Sequence, residues 1–105
     1  MLFRSASAGV KGYKQSAPFA MGKFALRGLA QSLARELHPK GIHVAHFNID
    51  GAVRSVANNR VEGANNAPDS LLDADAIAQT YMAVLAQHRS AWSLEVEMRP
   101  WVERF

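Results

Sequence analysis

A chain of 105 residues is one domain's worth of protein, and at this size folding buries roughly two-thirds of the surface the unfolded chain exposes, so the core is real but not generous. With no cysteine and no apolar run near the ~20 residues of a bilayer span, disulfides, thiolate metal sites and membrane insertion are excluded, and the cytoplasm is the expected compartment. The net charge of +3 and pI of about 9.7 raise the question of an acidic partner, but Lys and Arg occur singly, many near Glu36, Glu62, Glu95, Glu97 or Glu103, which argues for a solvated mixed-charge surface and against nucleic acid.

Leu2 to Ser7 reads as a short strand entering a loop, Ala8 to Ser16, that carries Gly9, Gly12 and Tyr13. A helix follows between Ala17 and Leu37, with Ser16 as its cap and Pro18 in the first turn, where its missing N–H does no harm. Leu26, Leu29, Ala30, Leu33 and Leu37 fall on one stripe at helical spacing. His38-Pro39-Lys40-Gly41 stops the helix.

Ile42 to Ile49 is a mostly apolar run of strand length directly after a helix, the pattern of a buried parallel strand. From Gly51 to Asp69 the chain turns polar and loop-like, a length that marks a functional or mobile segment. Asp73 caps a second helix, about Ala74 to Gln87, with Ile77, Tyr81, Val84 and Leu85 on one face. Trp92, Leu94, Val96 and Met98 then alternate with Ser93, Glu95, Glu97 and Arg99, a last strand whose charged face suits a sheet edge.

The order strand, helix, strand, helix, strand predicts a single α/β domain over 1–105, a parallel β-α-β-α-β sheet of partial Rossmann-like type with right-handed crossovers. The four histidines, His38, His43, His46 and His88, show no metal-ligand spacing and read as satisfied structural residues, with His43 and His46 on opposite strand faces.

In combination these segments resemble the short-chain dehydrogenase/reductase family, C-terminal half only. Ser5-Ala-Ser-Ala-Gly9 is similar to the end of the family's catalytic-serine strand. Phe19-Ala-Met-Gly-Lys23 stands at its Tyr-x-x-x-Lys, and Asp50-Gly51-Ala52-Val53-Arg54-Ser55 is similar to its Pro-Gly-x-Val-x-Thr segment. The glycine-rich dinucleotide turn and its ribose-binding acid do not occur in this sequence. Met1 falls where a longer relative would be mid-strand, which suggests a truncated product, an internal start or a fragment.

The resemblance implies an NAD or NADP cofactor and a small alcohol or carbonyl substrate, with residues 54–69 as the substrate loop. It implies that Lys23 binds the nicotinamide ribose and acts in catalysis, that the Val53 backbone after Gly51 meets the carboxamide, and that Ser55 contacts the cofactor. In the family the Tyr exchanges a proton with the substrate oxygen, the Lys lowers the phenol pKa from its ordinary ~10, and a Ser orients that oxygen. Here Phe19 has no ionisable proton, and the family's interval from Phe19 back to the Ser reaches Ala6. Tyr13 is the only loop tyrosine near enough in sequence to substitute. Gly22, Ala25 and Gly28 give the 17–37 helix a close-packing surface, and in relatives this helix forms a subunit interface, so a homo-oligomer is expected through it. The alternative to an oxidoreductase is a non-catalytic dimerisation or interaction module, or an inactive fragment.

Overall fold

The computed structural model describes residues 1–6, 14, 17–63 and 66–105, so Tyr13, Ser16 and the loop glycines Gly9 and Gly12 lie outside the described residues. Three strands, β1 (Leu2–Ala6), β2 (Ala45–Ile49) and β3 (Glu95–Met98), pair in parallel in the order β1-β2-β3. Every residue of the central strand is buried, as expected of a parallel strand covered on both faces. Helix α1 (Ala17–Leu37) follows β1, and α2 (Ala74–Leu85) follows β2 after a long connection. The expected α/β sheet of three strands and two helices is therefore present.

Alternation along β2 divides the protein into two halves of different chemistry. Ala45, Phe47 and Ile49 form the core with Leu72 and Val84, joined by Ile77, Tyr81, Val96 and Met98. Phe47 carries no exposed surface, and its ring lies 4.2 Å, centroid to centroid, from that of Tyr81. On the opposite face β2 presents His46 and Asn48, beside Glu95 and Glu97 of β3.

Two right-handed crossovers advancing in the same direction across a sheet place both helices on one face. Here α2 covers the Phe47 face, while α1 lies on the His46 face, where Arg27 reaches Glu95. The two connections therefore have opposite hands, which corrects the expectation that both would be right-handed. The β2–α2 connection, residues 50–73, is long, so the strand does not feed directly into that helix. Between β2 and α2 the chain makes isolated bridges at Val53–Leu72 and Ser55–Arg60.

The polar face explains a second correction. The buried positions of α1 are Ala20, Ala30 and Ala34, whereas Leu29, expected on the buried stripe, is 49% exposed. Small side chains let the helix lie close to a strand whose own side chains here are an imidazole and an amide. On α2, Asp73 accepts a hydrogen bond from the Ala76 N–H at 3.1 Å, the expected cap. The helix ends at Leu85, two positions before Gln87, and Leu85 points outward at 50% exposure. Gln87 is used elsewhere: its amide donates to Ser93 Oγ and accepts from the Ser93 N–H. This clamp delays β3 to Glu95, past the expected start at Trp92.

At the N-terminal ends of the strands, His38 Nε2 lies 3.1 Å from the Val44 N–H, holding the end of α1 against the approach to β2. The Ile42 N–H donates back to Leu37 O, so Ile42 belongs to the helix stop and β2 begins at Ala45. His43 stacks flat on Trp92 at 4.7 Å with its Nε2 2.8 Å from Ser93 O. His88 bonds Ser90, and His46 faces Glu95. All four histidines thus have structural contacts, but His43 Nδ1 and His46 Nε2 are buried with no hydrogen-bond partner among the described residues, so these two are not the satisfied histidines expected, and His43 lies just outside the strand on which it was expected. No helix among the described residues is long and apolar enough to cross a membrane.

Candidate functional site

In open parallel sheets, ligands bind beyond the C-terminal ends of the strands. At that end β2 runs into Asp50 and Gly51, and β3 into Arg99 and Pro100. Gly51 has φ +135°, a conformation other residues rarely adopt. A Cβ on it would lie 3.2 Å from Pro100 Cδ and 3.4 Å from Leu72 Cδ1. The turn therefore requires glycine twice over, by torsion and by crowding.

Beyond the turn, Val53 forms an isolated parallel bridge with Leu72. Its hydrogen bonds run from the Leu72 N–H to Ala52 O and from the Arg54 N–H to Leu72 O, both 2.8 Å. In this geometry the N–H and C=O of Val53 itself point away from Leu72, and neither has a partner among the described residues. One donor and one acceptor, adjacent on a fixed backbone, suit a planar amide.

Ser55 is fixed by backbone bonds in both directions with Arg60, and its hydroxyl accepts from Asn58 Nδ2 at 3.2 Å. The loop it begins is tied down by Arg54. That guanidinium donates to both oxygens of Glu62, at 2.6 and 3.2 Å, and to Asp73 at 3.2 Å. Its hydrogen bond holds the Glu62 carboxyl below its ordinary pKa. Trp101, almost fully exposed, donates to Asp69 Oδ2 at 3.4 Å and links the chain terminus to the same loop.

Lys23 is half-buried on α1, with its ammonium 5.5 Å from the centroid of the Phe19 ring. Phe19 is itself 53% exposed. No hydrogen bond or ion pair joins Lys23 to Gly51, Val53 or Ser55, so the helix and the turn are separate parts of the site. Ala6 ends β1 in register with Ile49, immediately before Asp50 and Gly51. The backbone position expected for an orienting serine thus lies next to the turn.

Between these parts runs a polar row that sequence reasoning did not assign to the site. Arg27 makes a two-pronged contact with Glu95, at 2.7 and 2.9 Å, and Glu95 Oε1 lies 3.2 Å from His46 Nδ1. The Arg27 hydrogen bond holds the Glu95 carboxyl below its ordinary pKa, while burial lowers that of His46. Further along, Asn48 Nδ2 donates to Glu97 at 3.3 Å, and Arg99 donates to Glu97 at 2.8 Å and Asp50 at 3.0 Å. The signals for this row in the sequence were the polar pair His46 and Asn48, in a run otherwise suited to a core, and the charged face of the last strand with Glu95, Glu97 and Arg99. Among the described residues no group of three or more His, Asp or Glu is arranged to hold a metal.

An apolar cleft of about 310 Å³ lies beside the turn on the α2 face, between Leu2, Val53, Ala74, Ile77 and Tyr81, with Arg4 contributing to its lining. The Tyr81 hydroxyl is buried without a partner among the described residues, and burial raises its pKa.

The sequence matches none of the family models and none of the curated proteins with which it was compared. Solved structures do match. A short-chain dehydrogenase from Rhodopseudomonas palustris is 38% identical, with a TM-score of 0.70 over 95% of this chain. The chain is similar to short-chain dehydrogenases along nearly its whole length. Two further dehydrogenase structures share the fold at lower identity. They are an alcohol dehydrogenase from the archaeon Thermococcus sibiricus complexed with 5-hydroxy-NADP, at 16% identity, TM-score 0.76 and 98% of this chain, and a 4-hydroxyisoleucine dehydrogenase complexed with NADH, at 19%, 0.72 and 96%. The chain spans only 37%, 42% and 45% of the respective proteins.

Proposed function

We propose that this chain is the C-terminal portion of an NAD(P)-dependent short-chain oxidoreductase acting on a small alcohol or carbonyl compound. The observation that carries the reading is Val53: its unpartnered N–H and C=O, held outward beside the Gly51 turn, match the acceptor and donor of a nicotinamide carboxamide. The bound cofactor would supply the hydride exchanged with the substrate carbon. Lys23 would hydrogen-bond the nicotinamide ribose, Ser55 would contact the cofactor, and the loop over 54–69 would bound the substrate. The 38% identity to a short-chain dehydrogenase supports this reading.

Phe19 sets its limit. A phenyl ring neither donates nor accepts the proton that must accompany hydride transfer, and Ala6 offers no hydroxyl to orient the substrate oxygen. The reading is therefore of a cofactor-binding chain with little or no turnover of its own. Calorimetric titration with NADH and NADPH, on a sample shown by size exclusion to be unaggregated, tests it. Saturable binding that weakens on Val53→Pro, which removes the outward N–H, is the expected result; no binding to a folded sample rejects the cofactor site.

A second reading, a non-catalytic self-association module, is favoured by the exposed face of α1. Met21, Phe24 and Leu29 are 72%, 41% and 49% exposed, and a Cβ added at Gly22 or Gly28 would meet open space. This face would pair with the same face of a second copy.

A further inference from the structure

We propose that Arg99 is a positioning residue for the Gly51–Val53 turn, acting through the carboxylate of Asp50; the proposal rests on the cofactor reading of that turn. Asp50 is the last residue before the turn and is only 6% exposed. Its backbone N–H donates to Met98 O at 2.8 Å, and its carboxylate accepts from Arg99 Nε at 3.0 Å. The end of β2 is thus joined to the end of β3 twice, once through the main chain and once through an ion pair.

Arg99 is itself held. Its Nη2 donates to Glu97 Oε2 at 2.8 Å, and the Phe105 ring lies 3.8 Å from the guanidinium carbon. The Pro100 ring packs where Gly51 lacks a Cβ. The residues around Arg99 therefore form both the wall behind the turn and the anchor of its first peptide. Without Arg99, the Asp50 carboxylate would be buried and unpaired, a state relieved by swinging out to water. Gly51 follows it directly in the chain, and Val53 lies two residues further on. Arg99 would act only by fixing the backbone that meets the cofactor in that reading.

The test combines amide hydrogen exchange with NADH titration in wild type, Arg99→Ala, Arg99→Lys and Asp50→Asn. The amides of Arg54 and Leu72 report on the bridge at Val53, and those of Phe47 and Ile49 report on the sheet. Arg99→Ala is expected to speed exchange at Arg54 and Leu72 by about tenfold or more while leaving Phe47 and Ile49 unchanged, the signature of local opening. NADH affinity should fall in parallel. Arg99→Lys, which keeps the charge but not the planar fork, should lie between wild type and Arg99→Ala. Asp50→Asn removes the ion pair with little change of shape and should show the same selectivity, which keeps the test decisive if Arg99→Ala does not fold. Equal acceleration at all four amides, or none at Arg54 and Leu72, overturns the positioning role. Failure of the wild type to bind NADH overturns the cofactor reading instead, and the exchange pattern distinguishes the two failures.

Discussion

The Lys23 ammonium and the Phe19 ring stand one helical turn apart on α1, 5.5 Å from nitrogen to ring centroid. Adding a hydroxyl to that ring would place a phenol beside the Lys23 ammonium. In Phe19→Tyr the new phenol is expected to titrate below its ordinary ~10, because the neighbouring ammonium favours the phenolate. Absorbance at the tyrosinate band, taken as the difference between variant and wild type, reads this directly and requires no turnover. A midpoint at or above the ordinary value would mean that the two side chains do not cooperate in solution.

Gly51→Ala is expected to lower stability by about 1–3 kcal/mol, the usual cost of forcing a side chain into a sparsely populated backbone region. The substitution also brings a methyl to 3.2 Å from Pro100 Cδ. Gly63, also at positive φ but with open space around it, should tolerate Ala better, since torsion alone opposes it there. Urea denaturation of the two variants separates the contributions. Equal midpoints would show that crowding by Pro100 adds nothing.

Acid should destabilise the protein in two stages. Burial lowers the His46 pKa in the folded state, so the unfolded chain binds the proton more readily. The stability associated with His46 is intact above about 6.5 and is lost as the pH falls through the folded value. Glu95, lowered chiefly by its Arg27 hydrogen bond, contributes stability above its ordinary value that is lost on further acidification. Urea midpoints should therefore fall between pH 7 and 5, and His46→Gln should flatten that part of the profile. A midpoint that rises on acidification over this range would contradict the direction assigned to His46.

If the exposed face of α1 is a self-association surface, sedimentation at tens of micromolar should detect a dimer, and Met21→Lys with Leu29→Lys should dissociate it without altering the circular dichroism spectrum. Both residues are already solvated in the single chain, so their replacement costs the monomer little. A wild-type monomer at these concentrations removes this reading.

The sequence alone determined the element order, the parallel sheet and the Asp73 cap, because these depend on local periodicity, chain direction and short-range hydrogen bonding. It also located the turn, through Gly51, and the helical spacing of Phe19 and Lys23. Other features were decided only when distant segments met. Leu29 falls on the apolar stripe of α1 by spacing, but the strand beneath carries His46 and Asn48, so alanines pack there and Leu29 faces outward. The strand limits at Ala45 and Glu95 follow from Ile42 bonding to Leu37 and from Gln87 clamping Ser93, competition that strand periodicity does not encode. The opposite hands of the two crossovers and the Asp50–Arg99 pair likewise join residues far apart in the chain, and their energies depend on burial and geometry that exist only in the folded state.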